Sequence, residues 1–313
     1  MEEDYPRNLI EFDARFSSEE GCHQYLRKLR WPEGFICPKC QCHDAWTTRR
    51  NLLVCAQCQY QASLTAGTIF QDTRTPLTVW FKAIWWVTTQ KNGASALGLQ
   101  RILGLRTYYT AWTWLHKLRR AMVRPGREQL SGRVEVDEMY VGGLEEGVRG
   151  RQTEKKALVV VGAEEDGTRI GRIRLRRIPD ASQASLHGFI RGSIELGGVV
   201  HTDGWQGYNG LDGYQHEVTV LRGRKESASK LLPRVHRVVS LLKRWLLGTH
   251  QGAVSPEHLD YYLDEFTFRF NRRGSHSRGK LFYRLLQQAV AIEPTPYKDL
   301  IKQVQTGPEH KRW

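Results

Sequence analysis

The sequence predicts an α/β fold for the second half of the chain, behind a small cysteine-bearing ribbon and a helical segment. Three observations carry this. Two Cys-x-x-Cys pairs stand near the N-terminus, Cys37/Cys40 and Cys55/Cys58. Apolar residues then recur at helical spacing from about 76 to 122. Beyond 129, short β-branched runs alternate with longer amphipathic stretches, the rhythm of strands and helices in an α/β domain.

A length of 313 residues leaves room for a sizeable core and two or three modules. Hydrophobic content of 40% and charged content of 26% are those of a soluble globular protein. The net charge of +14 calls for a polyanionic partner, most simply nucleic acid; a basic membrane-surface protein is the competing class. No run of about 18 apolar residues exists, which argues against a membrane span. The first residues, MEEDYPRNLI, are acidic and lack an apolar signal region, so the expected compartment is the cytoplasm. There, six cysteines read as metal ligands sooner than as disulfides.

Residues 1–70 read as a lead-in and ribbon. A helix is expected over Ser18–Arg30 with Cys22, Tyr25, Leu26 and Leu29 inward. Each Cys-x-x-Cys turn places two thiolates on one side of an ion, so Cys37, Cys40, Cys55 and Cys58 suit a tetrahedral zinc. Four thiolates close the shell, which makes this zinc structural. Trp46 and Leu52-Leu53-Val54 supply the hairpin between the knuckles. Cys22 reads as a core residue and Cys42 as a free thiol, with His23 and His43 as reserve ligands.

In 71–128, Thr75-Pro76 opens a helix as cap and first residue, with Leu77, Trp80, Phe81, Ile84 and Val87 inward. Asn92-Gly93 breaks it, Ser95 starts a second helix, and Thr107 caps a third running to about Met122. Three helices joined by tight turns are similar to a helix-turn-helix. The last carries Tyr108, Tyr109, Trp112, His116, Lys117, Arg119 and Arg120, which suit phosphate and groove contacts. A plain bundle with a solvated basic face is the alternative.

The third segment, 129–292, opens on Arg133-Val-Glu-Val-Asp-Glu-Met-Tyr-Val-Gly-Gly143. Val134 and Val136 alternate with Glu135 and Asp137, as in a strand. Carboxylates on a strand are costly unless solvated, paired or bound to metal. The strand is therefore either an edge with an acidic face or the bearer of a first metal ligand, Asp137. Residues 156–162 read as a buried strand and 170–178 as its basic partner across a turn at Glu164–Gly167, and Asp180 caps the helix that follows. Val199-Val-His-Thr-Asp-Gly204 is a strand ending in Asp203, at the strand end where α/β folds place sites. The helix from Pro233 carries His236 and Lys243 two turns apart on one side. In the next helix Glu265, Arg269 and Arg272 line the face opposite Leu259, Tyr262, Leu263 and Phe266. Leu281–Ala291 reads as a last helix on this core, and 293–313 as a loose tail.

These blocks carry a resemblance. VEVDEMYVGG, HTDGWQGY, VHRVVSLLKRWLLGTH and HLDYYLDEFTFRFNRR resemble bacterial insertion-sequence DDE transposases, and within them the ISXO-like group with an N-terminal zinc ribbon. GTIF at 67–70 and PLTVWFKAIWW at 76–86 extend the likeness over nearly the whole chain. The resemblance implies an RNase H-like catalytic domain whose triad opens with Asp137 and Asp203. It places His236 where an ordinary DDE enzyme has a glutamate, Lys243 at the lysine that follows, and Glu265, Arg269 and Arg272 at the group's Glu, +4 and +7 arginine signature. Glu217, Glu226 and Glu265 stand as alternative third carboxylates.

The implied chemistry is metal-dependent strand cleavage and transfer on double-stranded DNA, at terminal inverted repeats and target, by an oligomer in the cytoplasm or on the nucleoid. Asp137, Asp203 and His236 would hold Mg²⁺ or Mn²⁺, the imidazole leaning toward Mn²⁺. Lys243, Arg269, Arg272, Lys117, Arg119 and Arg120 would contact DNA, with Glu265 accessory. A non-catalytic zinc-ribbon DNA-binding protein derived from a transposase is the second reading, and a metal nuclease without strand transfer the third.

Overall fold

The computed structural model describes residues 3–124, 126–142, 156–220, 228–252 and 254–302. They form two compact units: Met1–Arg124 with Ser275–Lys302, and the described residues of Pro125–Gly274.

In the first unit Asn8 caps a helix that the lead-in reading misses, α1 (Leu9–Phe16), by accepting the Glu11 N–H. Ser18 caps α2 (Glu19–Arg30), which buries Cys22, Tyr25 and Leu26 as expected. Burial pushes the Cys22 thiol up to about 12, so it is an inert core residue. The ribbon is a three-stranded antiparallel sheet of β1 (Ala45–Thr47), β2 (Leu52–Cys55) and β3 (Gln61–Ser63). Next comes α3 (Leu77–Thr89), whose cap differs from the expected Thr75. Its open N–H groups at Leu77 and Thr78 are accepted by the Glu19 carboxylate of α2 at 2.9 and 2.7 Å. Ser95 caps α4 (Ala96–Leu103), which ends on Gly104 at φ 61°, and Thr107 caps α5 (Tyr108–Ala121). Trp80 of α3 stacks on Trp114 of α5 at 3.7 Å between ring centroids.

The second unit is a five-stranded mixed sheet covered on both faces. Its strands are β4 (Arg133–Val141), β5 (Ala157–Asp166) and β6 (Arg169–Ile178), then, after α6 (Gln183–Ser193), β7 (Val199–Asp203) and β8 (Gln215–Thr219). The order is β6-β5-β4-β7-β8, antiparallel from β6 to β4 and parallel from β4 to β8. Three local expectations change. Glu164 and Glu165 still belong to β5, with a bulge between Ala163 and Glu165, so the turn lies at Gly167-Thr168. Ser182 caps α6, while Asp180 accepts the Ser182 N–H in a turn one step earlier. Polar β8 is an addition.

The strand alternation decides which layer each side chain faces. Val134 and Val136 pack with Leu186, Phe189 and Ile190 of α6. Met139 packs on the other face, under Val235, Val238, Leu242 and Leu246 of α8 (Pro233–His250) and Leu259 and Leu263 of α9 (Leu259–Asn271). A short helix, α7 (Ala228–Leu231), leads into α8. Asn271 closes α9 on the edge strand, accepting the Ile173 N–H at 2.7 Å and donating to its carbonyl at 3.1 Å.

The chain then returns to the first unit, which moves the expected domain boundary from 292 to 274. In α10 (Arg278–Ala291), Phe282 sits among Phe12, Phe16, Phe81 and Trp85 at 5.4–5.7 Å. Gly279 is obligatory there, because a Cβ would overlap the Pro6 carbonyl oxygen. Part of the supposed tail is ordered too: α11 (Tyr297–Lys302) sets Tyr297 against Tyr109 and Trp112 of α5. Residues 303–313 lie outside the described residues. Among the described residues no helix is long and apolar enough to cross a membrane.

Candidate active site

The four ribbon cysteines converge. Their ligand atoms all lie within 4.8 Å of one another, with Cys37 Sγ 3.6 Å from Cys58 Sγ and Cys40 Sγ 3.5 Å from Cys55 Sγ. A tetrahedral Zn–S shell of ~2.3 Å bonds has edges of about 3.8 Å, so the set fits one zinc ion. Cys42 stays outside the cluster, its sulfur accepting the Asp44 N–H at 3.4 Å.

In the second unit β4 and β7 run parallel and pair as far as Glu135 opposite His201. Asp137 and Asp203 each lie two residues past that last pair. The Asp137 side chain is 17% exposed, and its Oδ1 accepts the Glu138 N–H at 2.8 Å. Asp203 Oδ1 accepts the Trp205 N–H at 3.0 Å. From α8, His236 brings Nε2 to 3.8 Å from Asp137 Oδ2. That is too long for a hydrogen bond, and the buried nitrogen has no hydrogen-bond partner among the described residues. Two ligands of one ion at about 2.0–2.2 Å lie up to about 4.3 Å apart, so this pair fits a shared divalent ion. Burial holds the imidazole below its ordinary pKa, against the pull of the Glu135 charge, which keeps it a neutral donor at pH 7. Asp203 does not close with them into a three-ligand cluster: among the described residues only the cysteines do so.

The acids flanking Asp137 have definite partners. Glu135 shares its sheet face and bonds the start of α8: Oε2 accepts the N–H groups of Arg234 and Val235 at 2.7 and 3.0 Å, and Oε1 pairs with Arg234 Nη1 at 2.9 Å. Glu138, on the opposite face, accepts from the Tyr208 hydroxyl at 2.7 Å. Tyr208 is fully buried, and burial lifts its pKa well above the ordinary value, with the charges of Glu138, Asp137 and Asp203 adding to the rise. Its hydroxyl therefore lies within electrostatic reach of both aspartates. Of the alternative third carboxylates, Glu217 pairs with Arg133 at 2.5 Å. Glu265 pairs with Arg269, and Glu226 lies outside the described residues.

The expected DNA-facing residues divide. Lys243 is exposed on α8. Glu265, placed by its spacing on an outer face, is fully buried; Arg269 Nε and Nη2 donate to its Oε1 at 2.9 and 2.7 Å. Aromatic Tyr261 and Phe268 are buried as well, so α9 is covered all round and the helical-wheel argument fails. Arg272 lies over the Phe268 ring at 4.2 Å. On α5, Arg119 is 1% exposed and His116 fully buried, so both belong to the core of the first unit, not to a DNA-facing surface. Lys117 and Arg120 are half-buried, and burial lowers the Lys117 pKa. Exposed side chains around the start of α5 include Arg106, Thr107, Tyr108 and Tyr109.

Comparison with known proteins finds a transposase zinc ribbon followed by a transposase domain. The family profile of the ISXO2-like transposase domain matches residues 129–271, and that of the transposase zinc-ribbon domain matches 17–61. A protein of Halobacterium salinarum, described as an uncharacterized protein in transposable element ISH50, is 26% identical over 278 residues, covering 81% of this chain and 91% of the relative. The chain belongs to the insertion-sequence DDE transposases that carry an N-terminal zinc ribbon.

Proposed function

We propose that this transposase binds the terminal inverted repeats of its element and cuts and rejoins DNA strands at a site built from Asp137, Asp203 and His236. The observation that carries the reading is the buried His236 Nε2, without a hydrogen-bond partner among the described residues and facing Asp137 Oδ2 at 3.8 Å. We further infer an RNase H-like domain, which the order β6-β5-β4-β7-β8 with its antiparallel and parallel halves supports. The carboxylates of Asp137 and Asp203 suit hard divalent ions such as Mg²⁺, and the neutral imidazole moves the preference toward Mn²⁺. Asp137, Asp203 and His236 would hold such ions, which would supply charge stabilisation for an in-line phosphodiester displacement. The exposed Lys243, two turns along α8 from His236, would bind a phosphate beside the site. Arg269 would act by bracing Glu265, and Arg272 by steering the strand. The zinc ribbon and the helices of 71–124 would hold the DNA ends, with Lys117 and Arg120 in a minor part. Pairing of two ends calls for an oligomer.

A labelled inverted-repeat duplex with Mg²⁺ or Mn²⁺ tests this. Strand-transfer products are expected from the parent protein, and Asp137→Ala should retain DNA but not cut it. A variant that still cuts refutes the site. Retarded but uncut DNA with the parent protein would favour the non-catalytic reading, and cleavage alone a nuclease.

A further inference from the structure

We infer that Glu135 and Arg234 form a clasp that sets His236 against Asp137; this rests on the metal-site reading proposed above. Helix α8 begins at Pro233, and its N-cap residue Leu232 makes no side-chain cap bond. Proline has no N–H, and the His236 N–H already bonds to the Leu232 carbonyl at 3.3 Å. The donors left open in the first turn are those of Arg234 and Val235. Glu135 Oε2 accepts both, so a strand residue caps this helix from outside it. A carboxylate at the positive end of the helix adds the dipole's attraction.

The guanidinium completes the clasp. Arg234 Nη1 pairs with Glu135 Oε1 at 2.9 Å, and Nη2 donates to Glu165 Oε1 at 2.7 Å and to the Gly167 carbonyl at 2.8 Å. The start of α8 is thereby tied to β4 and β5 and to the turn after β5. Glu135 is 1% exposed and both its oxygens are engaged, which makes it a positioning residue, not a metal ligand. Glu135 and Asp137 are two residues apart on one face of β4. Strand β4 thus meets α8 twice, through Glu135 at the first turn and through Asp137 at His236. A slip of α8 by one residue would move it ~1.5 Å and turn it ~100°, carrying His236 off Asp137.

The test compares Glu135→Gln with the parent protein, using Mn²⁺ alone as probe in calorimetric titration without DNA. Glu135→Gln should stay folded and bind Mn²⁺ roughly 10–100-fold more weakly, the usual cost of losing an outer-shell partner. Added to His236→Ala, the same change should alter affinity less than about twofold, because its effect runs through the imidazole. The His236 ring resonances, assigned by their loss in His236→Ala, should move in Glu135→Gln and stay in place in Glu164→Gln, an equally charge-paired carboxylate elsewhere in the sheet. Unmoved resonances with parental Mn²⁺ affinity in Glu135→Gln overturn the clasp, as does full additivity in the double variant. Parental Mn²⁺ affinity in Asp137→Ala overturns the metal reading instead, and the resonances then decide the clasp alone.

Discussion

Replacing Arg269 by methionine asks whether this arginine braces α9 or reaches DNA. Its partner Glu265 is fully buried, and the arginine side chain is 13% exposed. Two donors of the guanidinium meet one carboxylate oxygen at 2.9 and 2.7 Å. Removing one member of such a pair strands a charge away from water and costs about 3–5 kcal/mol. With a urea slope of about 2 kcal/mol/M, the unfolding midpoint of the second unit should fall by about 1.5–2.5 M. Replacing both partners, Glu265→Met with Arg269→Met, removes the stranded charge and should return stability to within about 1 kcal/mol of the parent. Urea unfolding followed by circular dichroism measures both variants, and gel retardation follows DNA binding alongside. If Arg269→Met unfolds within ~0.5 kcal/mol of the parent yet loses DNA retention tenfold, the pair is not structural and the reasoning is refuted.

Three further outcomes are expected. Changing His236→Glu should move the ratio of Mn²⁺ to Mg²⁺ cleavage rates toward Mg²⁺ by about tenfold, since oxygen replaces nitrogen in the donor set; an unchanged ratio would remove the imidazole from it. Burial pushes the Asp264 carboxyl up to about 7, with Arg127 opposing and Asp260 adding. The folded state therefore keeps a proton that the unfolded chain loses above about 4, so stability falls as pH rises from about 4 to 7 and is level beyond. The stabilisation gained by Asp264→Asn, read as urea midpoint, should grow over that window and then stay constant. Zinc removal should open the ribbon, because two of its five core residues, Phe35, Cys37, Leu53, Cys55 and Ala62, are themselves ligands. Hydrogen exchange over residues 35–63 should rise on chelation while α3 keeps its protection.

Elements with a strong local period or an internal cap are legible in the sequence. Thr107 caps its helix as expected, Ser18 and Ser95 stand as caps where their helices are expected to start, and the knuckles bring four sulfurs together. What escapes a sequence reading depends on partners far along the chain. The cap of α3 comes from Glu19, 58 residues before Leu77, and the cap of α8 from Glu135, 99 residues before Arg234. Neither separation leaves a local signature. Both helices do announce the need, since each begins at or just after a proline without a side-chain cap. Strand β8 is invisible to the period argument because Gln215-His-Glu-Val-Thr presents no apolar face. The outward placement of Glu265 and Arg119 fails for the opposite reason. Their polarity points to solvent, while the fold buries these groups.

The carboxylates around β4 differ in what each one touches. Glu135 is spent on the first turn of α8, Glu138 on Tyr208, Glu165 on Arg133 and Arg234, and Glu217 on Arg133. Asp137 and Asp203 each accept a short local backbone bond, from the N–H groups of Glu138 and Trp205. An acid held by an arginine is poorly placed to serve as a third metal ligand, because its charge is already answered. His236, held neutral by burial and with a nitrogen that faces Asp137 and has no hydrogen-bond partner among the described residues, carries no such commitment. The proposed third ligand follows from that difference in occupation.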